Sequence, residues 1–192
     1  MSDAVEALRR GLPILLPTDT VYGLCAIATR EATERLYALK GRPAGQPTAL
    51  VAASVEQLLD AVPELDAQLL HALLPGPFTL VVPNPAGRYP WLTGETPEAI
   101  GVRVPELPDS AREVVSAAGP IVATSANLPG GSDPRRLEDV PLELRERVAA
   151  LVDGGELPGT PSTVVDLTAA EPRIIREGAV PSSETLSRLE RA

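Results

Sequence analysis

The sequence predicts an α/β domain, and three observations carry that expectation. Short apolar runs alternate with stretches of helical spacing from one end of the chain to the other. The 192 residues are 44 % hydrophobic but only 3 % aromatic, so a sizeable core must be built from Leu, Val, Ala and Ile. The 21 prolines and 15 glycines cut the chain into many short elements.

Taken in order, "VEALRR" reads as a helix stopped by Gly11. "LPILLPT" and "VYGLCAIA" read as two strands around a polar break at Thr18–Thr20. "REATERLYALK" has helical spacing, with Thr29 placed to cap its start and Gly41 its end. "TALVAA" is a strand. Ser54 and Gln57 then form a capping-box pattern, and "LDAQLLHALL" is a second helical run. "FTLVVP", a Pro/Gly-rich excursion over 84–98, and the strand "AIGVRVP" follow. "SAREVVSAAG" is a helix and "PIVATSAN" a strand entering the loop "LPGGSDPRR". After a mixed helical segment, "ALVDGG", "STVVDL" and "RIIRE" read as strands and the last residues as a helix. No repeat or long linker divides the chain, so a single domain over residues 1–192 is expected.

Charge and cysteine usage exclude several classes. The formal net charge of −9 argues against a general polyanion binder, because non-specific nucleic-acid affinity comes from clustered Lys and Arg. One cysteine, Cys25, permits neither an intrachain disulfide nor a cysteine-rich zinc site; in an alternating apolar strand it reads as structural. No run reaches the length of a membrane span and no secretory core follows Met1, so a soluble, cytoplasmic protein is expected. There is no P-loop, no G-x-G-x-x-G after a strand and no G-x-S-x-G. His71, the only histidine, sits in an apolar helical run, facing solvent or filling a partial core site.

The polar residues gather at strand ends: "PTDT" at 17–20, "KGRP" at 40–43, "VRVP" at 102–105, "TSAN" at 124–127, "PST" at 161–163 and "IIREG" at 174–178. Ligands of α/β sheets bind where such loops meet. Lys40 is the only lysine beside 16 arginines. With Arg42, Arg103 and Arg176 it supplies cations, while Thr18, Thr20, Ser125, Asn127 and Ser162 supply neutral donors and acceptors. That mixture suits phosphate and carboxylate groups, since arginine grips oxygens in a fork and lysine acts as a point charge. Each residue taken singly also fits an ordinary surface cation, cap or turn. Among the carboxylates, Asp19 and Asp166 are the two to watch for a magnesium role.

"LLPTDTVYGLCAIA", "LKGRPAGQP", "LLPGPFTLVVP", "IGVRVPELP", "VATSANLPGG", "LVDGG", "PSTVVDL" and "RIIREG" stand in an order that resembles the YrdC/TsaC family of threonylcarbamoyl-AMP synthases. The likeness spans about residues 11–178, and the size is similar to the short, single-domain form. The resemblance implies a twisted mixed β-sheet flanked by helices, with an open substrate cleft. It implies that L-threonine, bicarbonate or CO2, and ATP with Mg2+ become L-threonylcarbamoyl-AMP and pyrophosphate. A partner complex would then transfer the group to adenosine 37 of tRNA. No tightly bound, protein-ligated metal is expected.

By the same resemblance, Lys40, Arg42, Gln46, Ser125, Asn127, Arg135 and Arg176 match nucleotide-site positions, with Lys40 and Arg42 closest to the chemistry. Thr20, Arg103, Ser125 and Ser162 match positions that hold the amino acid. Where longer relatives carry a histidine, this chain has Val51, and "NLPGGSDP" replaces the commoner "NLSG-x-P". The reaction needs no covalent enzyme intermediate, only alignment and charge neutralisation. Two other readings remain: a YrdC-like RNA-binding module without catalysis, and a carbamoyl-adenylate enzyme with another acceptor. For the synthase, RNA binding is expected to be weak.

Overall fold

The computed structural model describes residues 2–43 and 45–191. Its elements run α1 (Asp3–Arg9), β1 (Ile14–Pro17), β2 (Tyr22–Ile27), α2 (Arg30–Lys40), β3 (Ala49–Val51), α3 (Val55–Ala61), α4 (Ala67–Leu73) and β4 (Phe78–Pro83). They continue with β5 (Ala99–Arg103), α5 (Asp109–Ala118), β6 (Ile121–Ser125), α6 (Leu142–Arg145), β7 (Thr163–Asp166), β8 (Arg173–Arg176) and α7 (Ser182–Leu189). All eight strands form one mixed sheet in the order β1-β2-β6-β3-β5-β4-β7-β8. The β3–β5 and β4–β7 pairs are parallel and the other neighbours antiparallel.

The local signals act where the sequence places them. Thr29 Oγ1 accepts from the Ala32 amide to start α2, and Gly41 ends that helix at φ 67°, a left-handed conformation that glycine takes without a Cβ penalty. Ser54 Oγ accepts from the Gln57 amide; the Gln57 side chain returns to the Ala53 amide, one residue before the expected box partner.

One expected strand is not formed. At "ALVDGG" only Leu151 bridges to Leu15, through the Leu15 amide on Ala150 and the Val152 amide on Leu15. The chain then turns at Asp153–Gly155, where the Tyr22 hydroxyl lies 2.9 Å from Asp153 Oδ1 and accepts from the Gly154 amide. A strand pairing cannot propagate past that turn.

Strand alternation divides the core in two. Leu24, Leu50, Leu80, Val102, Val122 and Val165 share one cluster with residues of α2, α3 and α4 such as Leu36, Leu58 and Leu70. On the opposite face, α1 and α5 cover Ile14, Leu16, Cys25, Val51 and Ile121. That second layer covers one end of the face only. The rest of the face is left open, and there the cleft forms.

Candidate functional site

The cleft has a volume of about 610 Å³, within the usual range for small-molecule sites. Its floor follows from strand register. Cys25 pairs with Ala123, Ala123 with Ala49, Gly101 with Val81, Val81 with Asp166 and Asp166 with Arg173. In the parallel β3–β5 pair, Val51 stands opposite Arg103, which brings Ala49 beside Gly101. Small side chains at 49, 101 and 123 therefore lie side by side and hollow the sheet, while longer polar chains rise around them.

One wall carries Lys40 at the end of α2. The residue is 7 % exposed, and Nζ lies 2.5 Å from the Ser125 carbonyl oxygen, 2.9 Å from Asn127 Oδ1, 3.0 Å from Thr124 Oγ1 and 3.2 Å from Ser125 Oγ. Burial and the neighbouring Arg42 charge lower its pKa to about 8, against an upward pull from Asp133. Arg42 donates to Thr124 Oγ1 and to the Pro47 carbonyl, and its guanidinium stacks over Tyr37 at 5.6 Å. Burial lowers its pKa too.

Across the cleft, Arg176 on β8 donates to the Ser162 carbonyl and to Ser162 Oγ, which lies 2.8 Å from Thr79 Oγ1. Burial first, and then the Arg103 charge, lower the Arg176 pKa, while Asp133 opposes. Arg103, at the end of β5, pairs with Asp19, and its Nη2 lies 2.8 Å from Thr20 Oγ1.

The fold thus brings Lys40, Arg42, Ser125, Arg103, Ser162 and Arg176 around one cavity. Others stand differently from the expectation of direct contact. Thr20 is in the wall but 0 % exposed, enclosed by Thr18 and Arg103. Asn127 stands behind Lys40 and is absent from the lining, as is exposed Gln46. Arg135 is drawn away: Glu156 takes its Nη2 at 2.8 Å and the Leu157 carbonyl its Nε.

The two carboxylates watched for magnesium already carry partners. Asp19 is committed to Arg103 and the Glu106 amide, and Asp166 to Thr168 and Arg173. Among the described residues no group of three or more His, Cys, Asp or Glu could hold a metal. His71 is exposed and outside the cleft. Cys25 is buried, which pushes its thiol up to about 12 and removes it as a nucleophile at neutral pH. Sequence reasoning singled out neither Thr124, which ties Lys40 to Arg42, nor Thr79, which lines the cleft beside Ser162. Both sit within strand-end motifs, but their partners lie more than 80 residues away.

Comparison with known proteins agrees with this architecture. The model of the Sua5/YciO/YrdC family, described as telomere recombination, matches residues 6–178. The threonylcarbamoyl-AMP synthase of Pyrococcus abyssi is 36 % identical over 186 residues, covering 94 % of this chain and 54 % of that protein. The structure of P. abyssi Sua5 complexed with L-threonine superposes with a TM-score of 0.87 at 34 % identity, over 96 % of this chain and 56 % of the other. Escherichia coli YciO gives 0.80 at 30 %, over 93 % and 88 %. The chain spans about half the length of the first curated relatives it matches. Among the described residues no helix is long and apolar enough to cross a membrane. With its sheet, its cleft and its matched motifs, the chain belongs to the Sua5/YciO/YrdC family.

Proposed function

We propose that this chain is a threonylcarbamoyl-AMP synthase, a nucleotidyltransferase that joins L-threonine, bicarbonate or CO2, and ATP into L-threonylcarbamoyl-AMP and pyrophosphate. The observation that carries the reading is a single cleft lined by four cations, Lys40, Arg42, Arg103 and Arg176. Support comes from the likeness to a Sua5 structure that holds L-threonine.

The chemistry asks for few protein groups. The threonine amine adds to CO2 and loses a proton, giving a carbamate. A carbamate oxygen then attacks the α-phosphorus of ATP as the bond to pyrophosphate breaks. Lys40, Arg42 and Arg176 neutralise phosphate charge, and their placement before substrate arrives avoids reorganisation during the step. Ser125 stands between the two ligands, and Arg103 and Ser162 face the amino acid. Magnesium would come with the triphosphate, held by phosphate oxygens and its own waters, and would add to the charge neutralisation that Lys40, Arg42 and Arg176 supply. The adenylate would pass to a transfer complex that modifies adenosine 37 of tRNA.

The test is purified protein with labelled bicarbonate, ATP, magnesium and threonine, followed by pyrophosphate release and detection of the adenylate. Pyrophosphate formed only when threonine and bicarbonate are both present supports the reading. ATP turnover indifferent to threonine refutes it.

A further inference from the structure

Asp19 does not line the cleft, yet it forms an ion pair with Arg103, which does. The pair's two side chains are only 8 % and 12 % exposed. Asp19 Oδ1 receives Arg103 Nη2, and Asp19 Oδ2 receives the Glu106 amide at 3.1 Å. The carboxylate therefore clasps the β1–β2 turn to the turn after β5. Thr20 Oγ1 meets the same Nη2 at 2.8 Å.

Behind it stands Thr18. Its single hydroxyl proton goes to the Val21 carbonyl at 2.7 Å, so in the 3.0 Å contact between Thr18 and Thr20 the proton belongs to Thr20. Thr20 Oγ1 is consequently an acceptor toward Arg103, enclosed and held in that sense. Arg103 Nη2 is thus fixed by two oxygens. Its Nε is buried without a partner, and no hydrogen bond among the described residues uses Nη1.

We propose that Asp19, with Thr20 beside it, is a positioning residue: it grips Nη2 of Arg103 and leaves Nη1 presented to a substrate carboxylate. The assignment of that carboxylate to threonine rests on the function proposed above; the grip itself does not. A guanidinium held from one side pays its ordering cost in folding rather than in binding. Asp19 also supplies the neutralising charge that lets Arg103 wait in the wall without a ligand.

The test joins two readouts on the whole chain. In 15N spectra of the arginine side chains, the Arg103 guanidinium should rotate slowly in the wild type and freely in Asp19→Ala, with Asp19→Asn in between because one oxygen remains for Nη2. By calorimetry, Asp19→Ala should weaken threonine binding about tenfold or more while nucleotide affinity stays within about twofold, and Asp19→Asn, which keeps one acceptor but not the charge, should fall between Asp19→Ala and the wild type. In an Arg103→Met background, Asp19→Ala should change threonine binding no further.

An Arg103 side chain equally mobile in wild type and Asp19→Ala overturns the proposal, as does a full Asp19→Ala effect that survives without Arg103. A pinned Arg103 in a wild-type protein that binds no threonine leaves the grip standing and refutes the synthase reading instead.

Discussion

Lys40 Nζ and the Ser125 carbonyl oxygen stand 2.5 Å apart, joining the last residue of α2 to the last residue of β6 across 85 positions of sequence. This contact, with those to Thr124 and Asn127, holds the ammonium at the edge of the cleft rather than in solvent. Lys40 is therefore a buried, pre-aimed cation. Its environment is more costly than that of a helix-end lysine in water, which is the state its place at the end of α2 suggests from sequence alone.

Replacing Lys40 should reduce adenylate formation by about tenfold or more, since a point charge on transferring phosphates acts in the transition state. Lys40→Met keeps the stem but takes the ammonium from the Ser125 carbonyl oxygen, at about 1–3 kcal/mol for a buried group that loses its partner, while Thr124 Oγ1 keeps Arg42 and Asn127 Oδ1 keeps the Ser125 hydroxyl. Comparing kcat and KM for ATP with the melting temperature separates the two effects. Wild-type turnover in Lys40→Met at saturating ATP would remove Lys40 from the reaction.

A second expectation concerns pH. The Lys40 pKa of about 8 lies below the ordinary 10.5, because burial and Arg42 disfavour the charge. Between those values the unfolded chain binds more protons than the folded one, so this group's contribution to stability rises with pH across that window and is flat below about 8. Phosphate has the opposite effect: it favours the ammonium and raises the pKa. Nucleotide binding above pH 8 must then take up a proton, and ATP affinity should fall by up to about tenfold per pH unit there. Calorimetry in two buffers of different ionisation enthalpy counts the proton. In Lys40→Met both the uptake and this slope should vanish.

Much of this was legible from local pattern. Thr29 and Gly41 delimit α2 within a dozen residues, so the position of Lys40 followed from the helix it ends. Ser125, Ser162 and Arg176 lie at strand ends marked by their own motifs. What the chain order hides is pairing at a distance. Asp19 looks like a free carboxylate until β5 brings Arg103 to it, and Arg135 looks like a free cation until the 153–157 segment delivers Glu156. "ALVDGG" has the composition of a strand, but strand length depends on a partner edge, and here the chain turns away after one bridge.

Two glycines allow cleft shape to be separated from stability. A Cβ at Gly101 meets nothing nearer than Ala49 Cα at 3.5 Å, an ordinary contact, and the backbone there is not left-handed. Gly101→Val suits a strand and narrows the unfolded ensemble, so folding should be unharmed or modestly helped. The new side chain nonetheless rises from the cleft floor between Ala49 and Val81. Threonine and ATP affinities should both drop, by about tenfold or more, if ligands use that floor, because overfilling a close-packed surface leaves no room to adjust. At Gly178 the same addition would come within 2.2 Å of the Pro161 carbonyl oxygen and 2.5 Å of Ser162 backbone atoms. Gly178→Ala must therefore push the segment that carries Ser162, lowering the melting temperature along with amino-acid binding. Paired melting curves and titrations distinguish the two outcomes. If Gly101→Val binds both ligands as the wild type does, the floor at 49, 101 and 123 is not where substrates lie.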